Sequence, residues 1–194
     1  KDPIQWILLT GGVMQGDPTR LREVAKLKPL AIVHHGGVTD SNYQAGTMEK
    51  VRDYLKAIRD TGVLVGLSTH LPGVVEYVDE HDWDIDFYMT SFYQFTRPVE
   101  EIRRMLGELP LGYVFLEGDP ARMCRAIRQT RKTCLAFKIL AAGRMGDSDE
   151  KREEAFRYAF ENIKPQDAVI VGMYPRFKDE IRENAETVRR LLSS

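Results

Sequence analysis

Histidine and carboxylate side chains recur at the ends of the apolar segments of this chain. His34 and His35 close the run LAIVHHGG, and His70 closes the next run, VLVGLSTH. Because strand side chains alternate between two faces, only one of His34 and His35 can point to the same side as His70. With Asp40 in the following turn and Glu117 further along the chain, these residues predict a cluster that could move protons or hold a metal ion.

A divalent metal site is the first way to combine these residues. Two histidines with Asp40 and Glu117 would supply three or four ligands, with His34, His35 and His70 as the imidazole candidates. The metal would polarise a carbonyl or activate a water molecule, as in a metal-dependent lyase, isomerase or hydrolase of a sugar or sugar acid. No HxH or HExxH spacing accompanies the histidines, so hydrogen-bonded histidines at a polar rim are the alternative interpretation.

Lys138 is the charged residue inside the apolar run CLAFKILAAGR. A lysine in a buried strand needs a carboxylate, a ligand or water, and burial would make its amine a candidate base or Schiff-base nucleophile. A structural ion pair with Glu117 is the alternative. The small residues of the AAGR turn would let backbone N–H groups approach an anion, with Arg144 available for a bidentate contact. We therefore take His34, His70, Lys138 and Glu117 as the catalytic candidates.

The composition excludes several classes of function. The 194 residues carry 28 Lys and Arg against 29 Asp and Glu, and this net charge of −1 lacks the field of a nonspecific nucleic-acid binder. No apolar run approaches the roughly 20 residues that span a bilayer. Two cysteines without a CxxC spacing favour a reducing, cytoplasmic setting. A small-molecule substrate is the partner that remains.

Alternating apolar runs and helical segments indicate a parallel α/β fold. Continuous rather than alternating apolarity is typical of strands buried on both faces. The runs begin at Ile4, Leu30, Val63, Ile85, Tyr113, Cys134 and Ala168. Polar residues at nearly every strand end favour a TIM-type (β/α) barrel over a doubly wound open sheet. The short run at Tyr113 makes the count six or seven units.

Six or seven units leave such a barrel incomplete, since eight need about 250 residues. We therefore predict one domain over residues 1–194, with an N-terminal portion preceding Lys1 or a second copy of the chain completing the barrel. Exposed strand edges demand pairing, so a non-catalytic assembly module is a further hypothesis.

Several motifs, in order, resemble the later two-thirds of aldo-keto reductases. They are LAIVHHGGVTD, GLSTHLPGVVEYV, DIDFYMTSFYQFTR, LAFKILAAGRM and DAVIVGMYPRFKDEIREN. The resemblance implies an oxidoreductase acting on a small carbonyl or sugar-like substrate, with His34 in its active site. Together with the AAGR turn it assigns cofactor binding to Ser68, Thr69, Lys138, Ala141, Ala142, Gly143, Arg144 and Asn184.

The same resemblance sets the expected cofactor and shows what is missing. Glu180 falls where the family often places an arginine for the 2′-phosphate, so NADP(H) is disfavoured and NAD(H) is expected. The family's catalytic Asp and Tyr are not visible, and Thr10 lies about where its catalytic Lys should be. The sequence thus leaves three hypotheses open: a reductase relative, a metal-dependent enzyme and an assembly module.

Overall fold

A single parallel sheet organises the chain. The computed structural model describes residues 4–15 and 17–193. The strands are β1 (Ile7–Leu9), β2 (Ala31–His34), β3 (Leu64–Thr69), β4 (Phe87–Ser91), β5 (Thr133–Phe137) and β6 (Ala168–Ile170). Each strand pairs in parallel with the next, in the order β1 to β6. Sequential parallel pairing of this kind is the arrangement of a (β/α) barrel.

Helices fill the connections between the strands. They are α1 (Gly12–Gln15), α2 (Thr19–Ala25), α3 (Gly36–Gln44), α4 (Met48–Arg59), α5 (Pro72–Glu80), α6 (Val99–Leu106), α7 (Asp119–Gln129), α8 (Asp149–Asn162) and α9 (Glu180–Ser193). A 3₁₀ turn at Ala141–Gly143 follows β5. Among the described residues, no helix combines the length and apolarity needed to cross a membrane.

Polar side chains and prolines mark the starts of three helices. Ser148 caps α8 by accepting a hydrogen bond from the Lys151 N–H, and the Asp17 carboxylate accepts one from the Thr19 N–H. α7 begins at Asp119 with a proline in its first turn. Side-chain oxygens placed in this way satisfy N–H groups that the first turn of a helix leaves without partners.

The two faces of the sheet bury different residues. Ile32, Leu67 and Tyr88 belong to the main core between the sheet and the helices, whereas Val33 and Phe87 belong to a small cluster on the other face. Gly66 is on β3, between Val33 of β2 and Phe87 of β4, and a Cβ there would come within 2.7 Å of the Val33 side chain. This second face is the partial lumen, and the predicted TIM-type barrel, incomplete at six strands, is confirmed.

The seventh predicted run does not form a strand. YVFLEGD, from Tyr113, lies in the loop between α6 and α7, where residues 113–116 have no regular secondary structure. Gly112 precedes these residues and Gly118 follows them, and their apolar side chains belong to a loop and not to the sheet. Within residues 4–15 and 17–193, β1 pairs only with β2 and β6 only with β5, which leaves two strand edges open.

Candidate functional site

His70 and Asp40 form a buried pair at the carboxyl end of the sheet. His70 follows the last residue of β3, and Asp40 lies on α3. The His70 Nδ1 atom is 2.7 Å from Asp40 Oδ2. A carboxylate only accepts hydrogen bonds, so the proton of the neutral imidazole resides on Nδ1 and the Nε2 lone pair is left available. This is the arrangement of a histidine prepared to act as a base.

Three further donors hold the Asp40 carboxylate in place. The Thr69 hydroxyl donates to Oδ1 at 2.6 Å, the Thr96 hydroxyl donates to Oδ2 at 2.8 Å, and the His70 backbone N–H donates to Oδ2 at 3.2 Å. Asp40 is almost completely buried. A buried carboxylate with this many donors keeps its orientation, and therefore fixes the ring of His70.

Aromatic rings surround the imidazole of His70. The Phe95 centroid is 4.2 Å from the His70 centroid and that of Phe137 is 5.4 Å away, both edge-on. Lys138 lies on the same two rings, with its Nζ 4.7 Å from the Phe95 centroid and 5.9 Å from that of Phe137. The rings exclude water from one side of the imidazole and place a cation beside it.

Lys138 has no carboxylate partner within the described part of the chain. Its ion-pair prediction with Glu117 is wrong, because Glu117 is exposed on the loop before α7 and Lys138 contacts rings instead. Burial lowers the pKa of the Lys138 amine. Its backbone also adopts a left-handed conformation, with φ of 59°, that a residue with a Cβ rarely takes. An ammonium held under these conditions gains from an anionic ligand.

Further aromatic rings near His70 come from the loop between α6 and α7. Tyr113 packs edge-on against Phe95 at 5.1 Å between centroids, and Phe115 lies 5.2 Å from Tyr93. The Arg144 guanidinium lies over the Phe115 ring at 4.2 Å. We therefore define the aromatic wall as Phe95, Tyr113, Phe115 and Phe137. The sequence showed the aromatic run around Tyr93 but not the contribution of the distant loop.

A cavity of about 570 Å³ opens beside the aromatic wall, at the ends of β5 and β6. Phe137 and Lys138 line both the cavity and the surroundings of His70. The other polar side chains of its lining are Arg152, Tyr174, Lys178, Glu180, Glu183 and Asn184. Its volume falls in the range of small-molecule sites, about 300–1,000 Å³.

His34 lies on the opposite face of the sheet from the partial lumen. His34 is two residues after Ile32 on β2, so its side chain points to the same face, toward the main core. It packs edge-on against Tyr54 of α4, with 5.3 Å between ring centroids. The Thr39 hydroxyl donates to the His35 carbonyl and lies 2.7 Å from His34 Nδ1. The structure therefore places His34 among the helices, and it does not join His70 at the mouth.

Burial in this position makes His34 a determinant of acid stability. Burial, with a smaller contribution from His35, lowers the pKa of His34 to about 4 from an ordinary value of 6.5. Below pH 6.5 His34 binds a proton in the unfolded chain but not in the folded chain. Its contribution to the free energy of unfolding is therefore fully present above pH 6.5 and decreases as the pH falls toward 4. The loss should reach about 3 kcal/mol.

We expect His34→Gln to remove this part of the pH dependence. Urea unfolding at pH 7.0, 5.5 and 4.5 would measure it, with His81→Gln as the matched control, because the His81 side chain is exposed and stacked on Tyr77. Equal loss of stability with falling pH in the His34 variant and the unaltered protein would contradict the assignment.

The predicted metal site is not assembled. The His35 side chain caps α3 by accepting a hydrogen bond from the Gly37 N–H at 3.2 Å, because α3 begins directly after β2. Glu117 is exposed on its loop, and Asp40 is committed to His70. Over residues 4–15 and 17–193, no group of three or more His, Cys, Asp or Glu is placed to hold a metal ion.

The residues predicted to bind a cofactor divide into two groups. Thr69 is buried and donates to Asp40, and Ser68 is buried close to Gly36, so both belong to the surroundings of His70. Lys138, Ala142, Gly143 and Asn184 line the cavity. Ala141 is buried under the 3₁₀ turn, and Arg144 lies on Phe115.

Comparison with known proteins finds similarity among solved structures. No protein-family model matches the chain, and no curated protein matches it. A solved structure described as a "putative orotidine 5′-phosphate decarboxylase" from Streptomyces avermitilis ma-4680 is similar, with 10% identity and a TM-score of 0.47. The likeness covers 93% of this chain and 67% of that chain.

These findings correct the resemblance to aldo-keto reductases, which is wrong. The solved structure reported above is not described as a member of that family, and neither the family models nor the curated proteins support it. The motifs that suggested it are short strands followed by glycine-containing turns, which any parallel barrel of this type needs. The coarser inference, a TIM-type barrel with polar residues at its carboxyl end, stands on the structure itself.

Proposed function

We propose that this chain forms the active-site side of a barrel enzyme that moves a proton on a small oxygenated substrate, using His70 as the base. The observation that carries the proposal is the buried hydrogen bond between His70 Nδ1 and Asp40 Oδ2. It fixes the tautomer in which Nε2 can take a proton, and it places a negative charge where the imidazolium would form.

The reaction class that fits best is removal of a proton from a carbon next to a carbonyl. His70 Nε2 takes the proton, the electron pair of the C–H bond forms a C=C double bond, and the π pair of the carbonyl moves to its oxygen, which becomes an enolate oxygen. Lys138 lies on the same two rings as His70, so its ammonium is suited to stabilise that oxygen. Return of the proton to a neighbouring carbon or to a leaving group gives an isomerase or a lyase.

Proton exchange with solvent tests this without knowledge of the product. A panel of hydroxyketones, aldoses and sugar acids would be incubated with the protein in D₂O, and ¹H NMR would follow loss of the signal next to the carbonyl. We expect enzyme-dependent exchange with at least one class. Exchange that never exceeds the rate in buffer, across the panel and with a folded protein, would refute the proposal.

The open sheet edges support a second candidate function, assembly. In the described part of the chain β1 and β6 each lack an outer partner, and Ile7 and Leu9 of β1 are about 40% exposed. Unpaired parallel edges favour pairing with another chain. We expect the 194-residue chain to form dimers or larger species as its concentration rises, measured by light scattering after size exclusion. A monodisperse monomer at high concentration would remove this candidate.

The expected compartment follows from the thiols. Cys124 and Cys134 are both free and buried, and burial raises the pKa of Cys124 to about 11 and that of Cys134 to about 12. Such thiols stay protonated and unreactive. Their presence without a disulfide supports a reducing compartment, and we place the protein in the cytoplasm. NAD(H) and divalent metal ions remain predictions that play no part in this mechanism.

A further inference from the structure

We propose that the cavity at the ends of β5 and β6 binds the phosphate group of a phosphorylated substrate. The inference rests on the proposed function for the reacting part of that substrate, and it adds the chemical class of the group that anchors it. Lys138 links the two, because it lines the cavity and lies on the rings that contact His70.

Cationic and amide side chains that can donate hydrogen bonds line this cavity. The Arg152 side chain is only 6% exposed; its guanidinium pairs with Asp149 at 2.6 Å and Glu183 at 3.4 Å, and its Nε has no hydrogen-bond partner within the described residues. Asn184 is 9% exposed, and its amide has no hydrogen-bond partner in the part of the chain that the structure describes. Lys138, Arg152 and Asn184 all line this one cavity, and they contribute two cationic side chains and an amide that can donate hydrogen bonds. Buried donors of this kind call for an acceptor.

The carboxylates of the same lining are already engaged. Glu180 accepts a hydrogen bond from the Tyr174 N–H at 2.6 Å. Glu183 lies 2.8 Å from the Lys178 ammonium and 3.4 Å from the Arg152 guanidinium. The two acids of the lining are therefore engaged, whereas the Lys138 ammonium has no carboxylate partner among the described residues, which favours a ligand that is rich in acceptor oxygens and negatively charged.

A phosphate fits this lining better than a carboxylate. A phosphate monoester carries nearly two negative charges on three oxygens, whereas a carboxylate carries one charge on two oxygens, so the phosphate gains more from the Lys138 ammonium and the other donors of the lining. The cavity of about 570 Å³ is much larger than a phosphate. The remaining space accommodates a short carbon chain reaching past Phe137 toward His70, whose ring is in contact with that of Phe137.

The turn after β5 is held in an unusual conformation at this cavity. Lys138, Ala141 and Ala142 all have positive φ angles, of 59°, 48° and 53°, although none is a glycine. Left-handed residues with a Cβ persist only where the surroundings enforce them, and they gather at ligand-binding segments. The conformation is consistent with a turn shaped to present Lys138 to a ligand.

Glycerol 3-phosphate and glycerol are the matched probes for this site. We expect isothermal titration calorimetry at low ionic strength to detect binding of glycerol 3-phosphate and of inorganic phosphate, and none of glycerol. Lys138→Met and Asn184→Ala should weaken phosphate binding roughly 10- to 150-fold, the range for loss of a hydrogen bond to a charged group. Lys50→Met removes an exposed charge from α4, outside the cavity, and should change binding less than twofold.

Circular dichroism would confirm that each variant is folded. Equal binding of glycerol and glycerol 3-phosphate, or full affinity in both folded cavity variants, would overturn the subsite. The two proposals fail separately. Phosphate binding without any proton exchange would refute the role of His70 and leave the phosphate subsite supported. Exchange on unphosphorylated substrates without phosphate binding would refute the subsite and leave the role of His70 supported. We expect His70→Gln to bind phosphate with unchanged affinity.

Discussion

Replacement of His70 by glutamine is expected to lower the rate of substrate proton exchange by about 10²- to 10⁴-fold, the usual contribution of a positioned acid or base. Glutamine is close to histidine in size and can still donate to Asp40, but it has no lone pair of comparable basicity. The exchange assay in D₂O measures the effect, and a substrate titration would show it in kcat more than in KM.

Asp40→Asn tests whether the carboxylate matters through His70. The amide keeps the shape of the side chain but removes the charge and favours the other tautomer, so exchange should fall while the phosphate affinity is retained. His81→Gln is the matched control, since His81 bonds only to the Tyr77 carbonyl and stacks on its ring. Unchanged exchange in a folded His70 variant would exclude this residue as the base.

Asp119→Asn is expected to cause the largest loss of stability, about 3–5 kcal/mol, as for other buried ion pairs broken on one side. Asp119 is fully buried and accepts hydrogen bonds from Arg97 and Arg122, and the side chain of Arg97 is only 2% exposed. Burial by itself would raise the pKa of Asp119, but the two arginines outweigh it and hold that pKa below its usual range.

The asparagine variant would leave the buried Arg97 charge with one carboxylate, the half-exposed Glu101 at 3.4 Å from its Nε. Urea unfolding measures the loss, and Asp84→Asn is the control, because Asp84 pairs with Arg59 at the surface and should contribute less than about 1 kcal/mol. Combining Arg97→Met with Asp119→Leu should recover much of the lost stability, since the buried ion pair is then replaced by apolar side chains and the partners it leaves, Arg122 and Glu101, are each 44% exposed. A loss below 1 kcal/mol in Asp119→Asn would contradict this account.

Asp119 also connects the core to the candidate site. Its carboxylate accepts hydrogen bonds from the N–H groups of Gln94 and Leu116, which adjoin Phe95 and Phe115 of the aromatic wall. The ion pair therefore positions two segments that approach His70 from different connections of the barrel. A variant at Asp119 that remains folded should also show reduced proton exchange.

The sequence was sufficient to predict the strands because each is a continuous apolar run ended by a turn. It also placed His70 and Lys138 at the mouth, since parallel strands end at one edge of the sheet. It could not decide which of His34 and His35 faces inward. That depends on where the strand ends, and α3 begins at Gly36 without an intervening loop, so His35 becomes a helix cap.

The roles of Asp40 and the aromatic wall needed the tertiary structure. Asp40 was predicted as a metal ligand, yet it lies 30 positions before His70 and meets it only because α3 packs against β3. Tyr113 and Phe115 were read as part of a strand, but a loop brings them to Phe95. Contacts between distant segments leave no local pattern in the sequence.

The protonation of His70 in the unaltered protein tests the central claim most directly. Long-range ¹H–¹⁵N NMR of the four imidazoles, with the His70 signals identified by their loss in His70→Gln, reports which ring nitrogen carries the proton. For the neutral imidazole we predict a protonated Nδ1 with a strongly deshielded proton bound to Asp40, and a bare Nε2. A proton on Nε2, or a freely exchanging Nδ1 indistinguishable from that of an exposed histidine, would contradict the account.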